Sequence, residues 1–183
     1  MDAGTTGQLL STDGAGNLGW VDAVEESELS IGDSYEGGII FWLDTSGEHG
    51  LIAAPTDQST GDKWGEEGIE TAATGDGTRA GEMNTMLIIA AQTLKDCAAK
   101  ICTDFVLKDG GVDYGDWYLP SKYELNLMYT NLHAGKLGNF SEYAYWSSTE
   151  TDKDIAWFQD FSDGKPFEER KAVGFYVRPI RSF

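Results

Sequence analysis

The sequence predicts an α+β domain with two main helices and short antiparallel strands, preceded by a short β-hairpin. Three observations carry this. Apolar residues recur three and four apart across Glu82–Phe105, which is the period of a helix face. Ser121 is followed three residues on by Glu124 at the head of a second apolar-periodic run, the pattern of a capping box. Residues 37–55 and 143–183 read as short apolar or alternating runs bounded by Gly, Asp, Ser and Asn, as strands and hairpins do.

Taken in order, Gln8–Thr12 and Leu18–Asp22 flank Asp13-Gly14-Ala15-Gly16-Asn17, which suits a hairpin with a longer loop. A lone hairpin is marginal in water, so this one is expected to pack against something. Residues 24–36 are acidic and read as a linker, which places a domain boundary between a segment 1–31 and a domain 32–183. Gly37–Leu43 and Gly50–Pro55 form a buried hairpin around the loop Asp44–His49. Residues 56–81 are rich in Gly, Thr and Asp and read as a long irregular stretch containing Trp64. In the first helical region Met83, Met86, Leu87, Ala90 and Leu94 are expected to face the core, followed by Ala98, Ile101 and Phe105, with room for a break near Thr93–Asp96. The second helix starts at Ser121 and turns Leu125, Leu127, Met128 and Leu132 inward. Further on, Trp157, Gln159 and Phe161 share one strand face while Phe158, Asp160 and Ser162 share the other. Ser162–Lys165 is a turn, and Pro179 makes the closing strand Phe175–Ile180 an edge strand or ends it early.

Composition narrows the function classes. The chain has 183 residues and carries 31 Asp+Glu against 13 Lys+Arg, for a formal charge of −18. A length near that of one domain and 40% hydrophobic residues support one core. The charge disfavours nucleic acid and anionic membrane as partners of the whole molecule. The longest apolar run, Met86–Ala91, is far too short to span a bilayer. No basic stretch followed by an apolar one is visible at the N-terminus. The acid is unevenly spread: residues 1–60 hold 11 acids and no Lys or Arg.

Signs of catalysis are few. Cys97 and Cys102 do not form a C-x-x-C pair and read as small buried hydrophobes. His49 sits in a hairpin loop, and His133 sits at a helix C-terminus where a positive charge suits the dipole. Nucleophile-elbow, P-loop and zinc-helix motifs are all absent from the sequence. Asp152, Asp154, Asp160 and Asp163 surround a strand turn and could offer oxygen ligands to Ca²⁺. They lack the spacing of a calcium loop, so no cofactor is expected beyond that possible ion.

Several segments carry a family resemblance. They are Tyr35–Phe41, Gly50–Pro55, Asp116–Tyr129, Tyr145–Glu150, Ala156–Phe161 with Gly164, and Val177–Phe183. In this order they resemble the Lcl-type C-terminal domain, the family that includes the Fibrobacter major paralogous domains. Gly4–Val21 resembles a low-complexity motif found ahead of the terminal domain in phage tail fibres and bacterial surface fibres; an ordinary N-terminal hairpin is the alternative. The resemblance implies a C-type-lectin-like fold of the formylglycine-generating-enzyme variant. It also implies a homotrimer at the tip of a virion tail or bacterial surface fibre, with a cell-surface glycan or protein receptor as partner and no membrane insertion. Some members are variable proteins of diversity-generating retroelements. The catalytic cysteines of formylglycine-generating enzymes lie near the C-terminus, and this chain has none after Cys102, so that activity does not carry over.

In the family pattern Trp146, Trp157, Phe161, Gly164, Arg178 and Arg181 match scaffold positions. The positions that vary between them are Thr151, Lys153, Asp154, Phe158, Asp160, Lys165, Phe167, Glu168, Glu169 and Phe175, and these are the expected ligand contacts. Phe158, Phe167 and Phe175 would be aromatic anchors and their charged neighbours would supply specificity; the alternative is that these rings fill the core or a trimer interface. Residues 150–171 hold seven acids and four bases, a mixture that leaves an anionic ligand open. A structural capping module without a ligand, and a divergent enzyme, are the competing functions.

Overall fold

The computed structural model describes residue 5 and residues 7–22, 28–93 and 96–183. Thirteen strands and three α-helices are assigned among them. The strands are β1 (Gln8–Thr12), β2 (Leu18–Asp22), β3 (Ser34–Tyr35), β4 (Gly38–Leu43), β5 (Gly50–Ala53), β6 (Ser59–Lys63), β7 (Leu107–Asp109), β8 (Val112–Tyr114), β9 (Ala144–Glu150), β10 (Ile155–Asp160), β11 (Pro166–Arg170), β12 (Gly174–Val177) and β13 (Ile180–Ser182). The helices are α1 (Ala80–Ala91), α2 (Ala98–Asp104) and α3 (Lys122–Met128), the last continuing into a π-helical turn, Tyr129–His133. The α+β expectation holds, with three helices in place of two: the region 82–105 is divided between α1 and α2. Leu94, expected on the first helix face, lies outside the described residues, as does part of the acidic linker.

Two sheets organise the domain. The larger has the order β11-β10-β9-β12-β6, and the smaller β13-β5-β4-β3. All pairings are antiparallel except that of β12 with β9. One core cluster sets Trp146, Ala156 and Val177 of the larger sheet against Ile88, Ala98, Ala99 and Cys102 of α1 and α2. A second sets Tyr145 and Phe161 against Leu125, Met128 and Leu132, with Phe41, Leu51 and Ile180 of the smaller sheet. The central strands of the larger sheet are therefore covered on both faces, while its β11 edge is exposed. β5, buried at every position, shows why a short continuous apolar run marks a central strand.

The chain passes from one sheet to the other at Arg178–Pro179. The expected closing strand is thus two strands, ending at Val177 and resuming at Ile180. The crossing is held by a buried guanidinium. Arg178 donates to Asp57 (2.7 Å), to the carbonyls of Ala54 (2.9 Å) and Gly138 (2.8 Å), and to that of Asn139 (3.2 Å). Its planar fork suits such divided recognition better than a point charge would.

Three expectations need correction. Met83 and Met86 are 60% and 59% exposed; the buried face of α1 is Gly81, Asn84, Thr85 and Ile88. Both sets have helical spacing, and the polar one is buried because backbone groups satisfy it. Asn84 brackets Gly75, accepting from its N–H (3.0 Å) and donating to its carbonyl (2.7 Å). Thr85 Oγ1 accepts from Leu119 N–H (3.0 Å). At Gly81 a Cβ would stand 2.5 Å from Glu124 Oε2 and 2.6 Å from the Leu119 carbonyl. Next, the stretch 56–81 is not wholly irregular. It contains β6, an edge strand whose sequence Ser-Thr-Gly-Asp-Lys has no apolar alternation and which is fixed by pairing with β12. Finally, the N-terminal hairpin forms in the expected register, but Leu9, Leu10, Leu18 and Val21 are exposed, so the expected packing is not found among the described residues.

The capping box is present. Ser121 Oγ accepts from Glu124 N–H (3.2 Å), and Glu124 Oε2 accepts from Ser121 N–H (2.8 Å). The same carboxylate accepts from Arg79 (2.6 Å) and Gly81 (3.1 Å) N–H groups at the start of α1. One buried side chain thus terminates two helices.

Candidate functional site

The register of β9, β10 and β11 decides which predicted contacts meet. Residues paired across antiparallel strands share a sheet face. Phe158 pairs with Phe167, and Ala156 with Glu169; the Asp160 N–H donates to the Lys165 carbonyl at 3.0 Å. Phe175 lies against Phe158, with ring centroids 4.5 Å apart. Phe158, Asp160, Lys165, Phe167, Glu169 and Phe175 therefore occupy one face. This agrees with the alternation read along 157–162. Thr151 and Glu168 do not join them: Glu168 pairs with Trp157 on the opposite face, and Thr151 Oγ1 donates to it (2.9 Å). Lys153 and Asp154 sit in the β9–β10 turn, ion-paired to each other (2.6 Å).

The aromatic rings on this face form a continuous row. Trp146 is fully buried beneath it and contacts Phe175 (4.6 Å between centroids) and Phe158 (6.1 Å, edge-to-face). Phe158 in turn meets Phe167 at 5.7 Å. Exposure rises outward along the row, from buried Trp146 through half-buried Phe158 and Phe175 to Phe167, which is 44% exposed. Phe158 and Phe175 pack against the core cluster and so are part scaffold. Phe167 is the most exposed ring of the row. Asp62, contributed by the unforeseen strand β6, pairs with Phe175 at the far side of the row. Sequence reading missed it because β6 was not recognised; the Trp64 that follows gives the only local hint.

β11 is the edge strand beside this face. Lys171 N–H donates to the Asp154 carbonyl (2.9 Å), and Asp160 N–H to that of Lys165. The odd-numbered residues thus bond inward and the even-numbered ones point out. Pro166 has no N–H to offer, and the Arg170 N–H donates to Glu169 Oε1 (2.8 Å). An edge blunted this way resists pairing with another strand, which leaves recognition to side chains.

The carboxylates considered for calcium are not gathered. Asp152 and Asp154 lie at one end of β10 and Asp160 and Asp163 at the other, so a six-residue strand separates them. Each is engaged locally. Asp152 Oδ1 accepts from the N–H groups of Asp154 and Ile155 (2.8 and 2.9 Å), and Asp160 Oδ1 from that of Ser162 (2.8 Å). Asp154 is held below the usual carboxylate range by the bond from Lys153 and the Gly68 N–H. Asp163 is held low by Lys165. Among the described residues no group of three or more His, Cys, Asp or Glu is placed to hold a metal ion.

The two cysteines and His133 sit among apolar and aromatic side chains. Cys97 and Cys102 are buried free thiols, and burial pushes both upward in pKa, the reverse of what a thiolate nucleophile needs. His133 packs between Tyr129, Phe140 and Phe161. With Lys136, Asn139 and Glu142 it lines a cleft of about 450 Å³ beside the π-helical turn. No predicted contact lies in that cleft. Among the described residues no helix is long and apolar enough to cross a membrane.

Gly164 shows how the scaffold positions work. Its φ is +74°, and a Cβ there would stand 2.3 Å from the Tyr129 ring. The turn that brings β11 back beside β10 therefore closes only with glycine.

No curated protein matches the chain. The Lcl C-terminal domain family matches residues 54–181, a span that includes the aromatic row, its edge strand and the buried Arg178. Over most of its length, then, the chain belongs to the Lcl C-terminal domain family.

Proposed function

We propose that the chain is a non-enzymatic ligand-binding module at the tip of a bacterial surface or virion fibre. On this reading it has the C-type-lectin-like fold of the formylglycine-generating-enzyme variant and contacts a cell-surface glycan or protein receptor through the Phe158–Phe167–Phe175 face. The observation that carries it is the graded aromatic row: a rigid ring exposed at an edge, backed by rings anchored in the core. A preorganised aromatic surface loses little entropy on binding. Diversification by a retroelement would act on these same positions, and the buried ion pairs and Gly164 would hold the fold while they vary.

The test is a pair of substitutions read by capture of receptor-bearing cells or arrayed surface glycans. Phe167→Ala is expected to reduce capture at least tenfold with the melting temperature nearly unchanged, because the ring lies at the sheet edge outside the core cluster. Phe158→Ala is expected to lower both, because its ring packs against Trp146. Unchanged capture by Phe167→Ala would contradict the proposal.

The exposed apolar faces favour self-association as a companion reading. Met83, Met86 and Ile89 of α1 stand outward, and so do the apolar residues of the N-terminal hairpin. A homotrimer would cover such surfaces and add avidity. Sedimentation equilibrium should then give three times the 20.0 kDa chain mass, with Met83→Glu shifting it toward one.

A further inference from the structure

The four bases that made residues 150–171 look mixed in charge each have an acidic partner, three of them at the surface and one buried. Lys153 is paired to Asp154 (2.6 Å), Lys165 to Asp163 (2.6 Å), Arg170 to Glu67 (2.9 Å) and Lys171 to Glu150 (2.5 Å). Four acids of the segment, Asp152, Asp160, Glu168 and Glu169, make no ion pair among the described residues. Two of these, Asp160 and Glu169, share the aromatic face. Asp62 joins them from β6 across from Phe175, again with no cationic partner. On this face the charges without an ion-pair partner among the described residues are therefore negative, since Lys63, next to Asp62 on β6, alternates to the other face. An anionic ligand, which the composition leaves open, would meet three carboxylates without ion-pair partners and, on Lys165, an ammonium already paired to Asp163.

We infer that the aromatic face docks a lysine- or arginine-bearing segment of a partner protein. The inference rests on the reading of this face as the binding surface and adds the chemical class of what binds. Charge complementarity selects the partner. Asp62, Asp160 and Glu169 supply acceptors for ammonium or guanidinium groups, and they flank rings whose faces attract cations. The aliphatic stems of Lys and Arg suit the same rings. The whole-molecule charge of −18 steers a basic partner inward from a distance. Because β11 is blunted as a pairing edge, the segment is held by its side chains and needs no strand register.

The test uses the full chain and a lysine/arginine-rich decapeptide, with polyglutamate of equal length as the opposite-charge probe. A protein this acidic binds any polycation weakly, so the comparison is between variants of equal charge. The Asp160→Asn/Glu169→Gln pair removes two charges at the face. The Glu48→Gln/Glu82→Gln pair removes two elsewhere. The expected result is a tenfold or greater loss of peptide affinity for the first pair and less than twofold for the second, with Phe167→Ala matching the first. Equal losses for the two pairs would reduce the effect to net charge and overturn the inference. Polyglutamate binding that depends on Phe167 would overturn the cationic class and leave the binding face standing. Binding of neither probe at the face, with Phe167→Ala silent, would remove both readings.

Discussion

Lys171→Met is expected to destabilise the domain by about 3–5 kcal/mol, because it strands a buried carboxylate without its cation. The Lys171 and Glu150 side chains are 0% and 1% exposed, and their charged atoms lie 2.5 Å apart. Lys171 Nζ also donates to the Ile69 carbonyl (2.8 Å) and lies 4.7 Å from the centre of the Trp64 ring. Glu150 accepts from the Thr71 N–H at 2.9 and 3.0 Å. The pair thus fastens the segment 64–71 to the end of the larger sheet, and its loss should free that segment to proteases before the rest unfolds. A Glu150→Leu/Lys171→Met double variant should cost less than the sum of the two single changes, since the charges then leave together. Urea denaturation of the three variants checks both statements.

Glu124→Ala should be of similar size, roughly 3–5 kcal/mol, since each buried N–H left without an acceptor costs about 1–3 kcal/mol. It orphans the Arg79, Gly81 and Ser121 N–H groups at once and leaves a cavity where two helices begin. The effect depends on pH in a defined direction. Burial pushes the Glu124 carboxyl above its ordinary value of 4.5, against the downward pull of the N–H groups it accepts from. A raised folded pKa means a contribution fully present below the unfolded value and lost as pH rises through the folded one. The stability gap between wild type and Glu124→Ala should therefore be widest below about pH 4.5 and narrow above it. Melting curves of both proteins across that range measure the gap, and one that widened with pH would show the N–H groups to be the stronger influence.

Much of the fold was legible because its cues are local. The Ser121–Glu124 box, the Gly38–Ala53 hairpin and the Ser162–Lys165 turn are fixed by residues within a few positions of one another. Features fixed by distant partners were not legible. The buried face of α1 carries Asn84 and Thr85, whose polarity is satisfied by the backbone at Gly75 and Leu119, so hydrophobic periodicity chose the wrong stripe. β6 is a strand because β12 lies beside it; its own residues favour a loop. The hairpin β7–β8 turns on Gly110-Gly111, both at positive φ, a local signal of the same kind as the Ser162–Lys165 turn. In the candidate site, alternation along β10 placed Phe158 and Asp160 together. Composition could not show that every base between residues 150 and 171 is spent on an internal ion pair, nor that Thr151 and Glu168 face away. Those facts depend on which strand lies next to which.

The most direct test of the account is to map contacts by amide chemical-shift perturbation while the lysine/arginine-rich decapeptide is titrated into the full chain. The largest shifts are expected on Phe158–Asp160, Lys165–Glu169, Phe175 and Asp62, and they should collapse in Phe167→Ala. Shifts confined to the cleft at His133, Lys136 and Glu142, or spread evenly over the acidic surface, would contradict it.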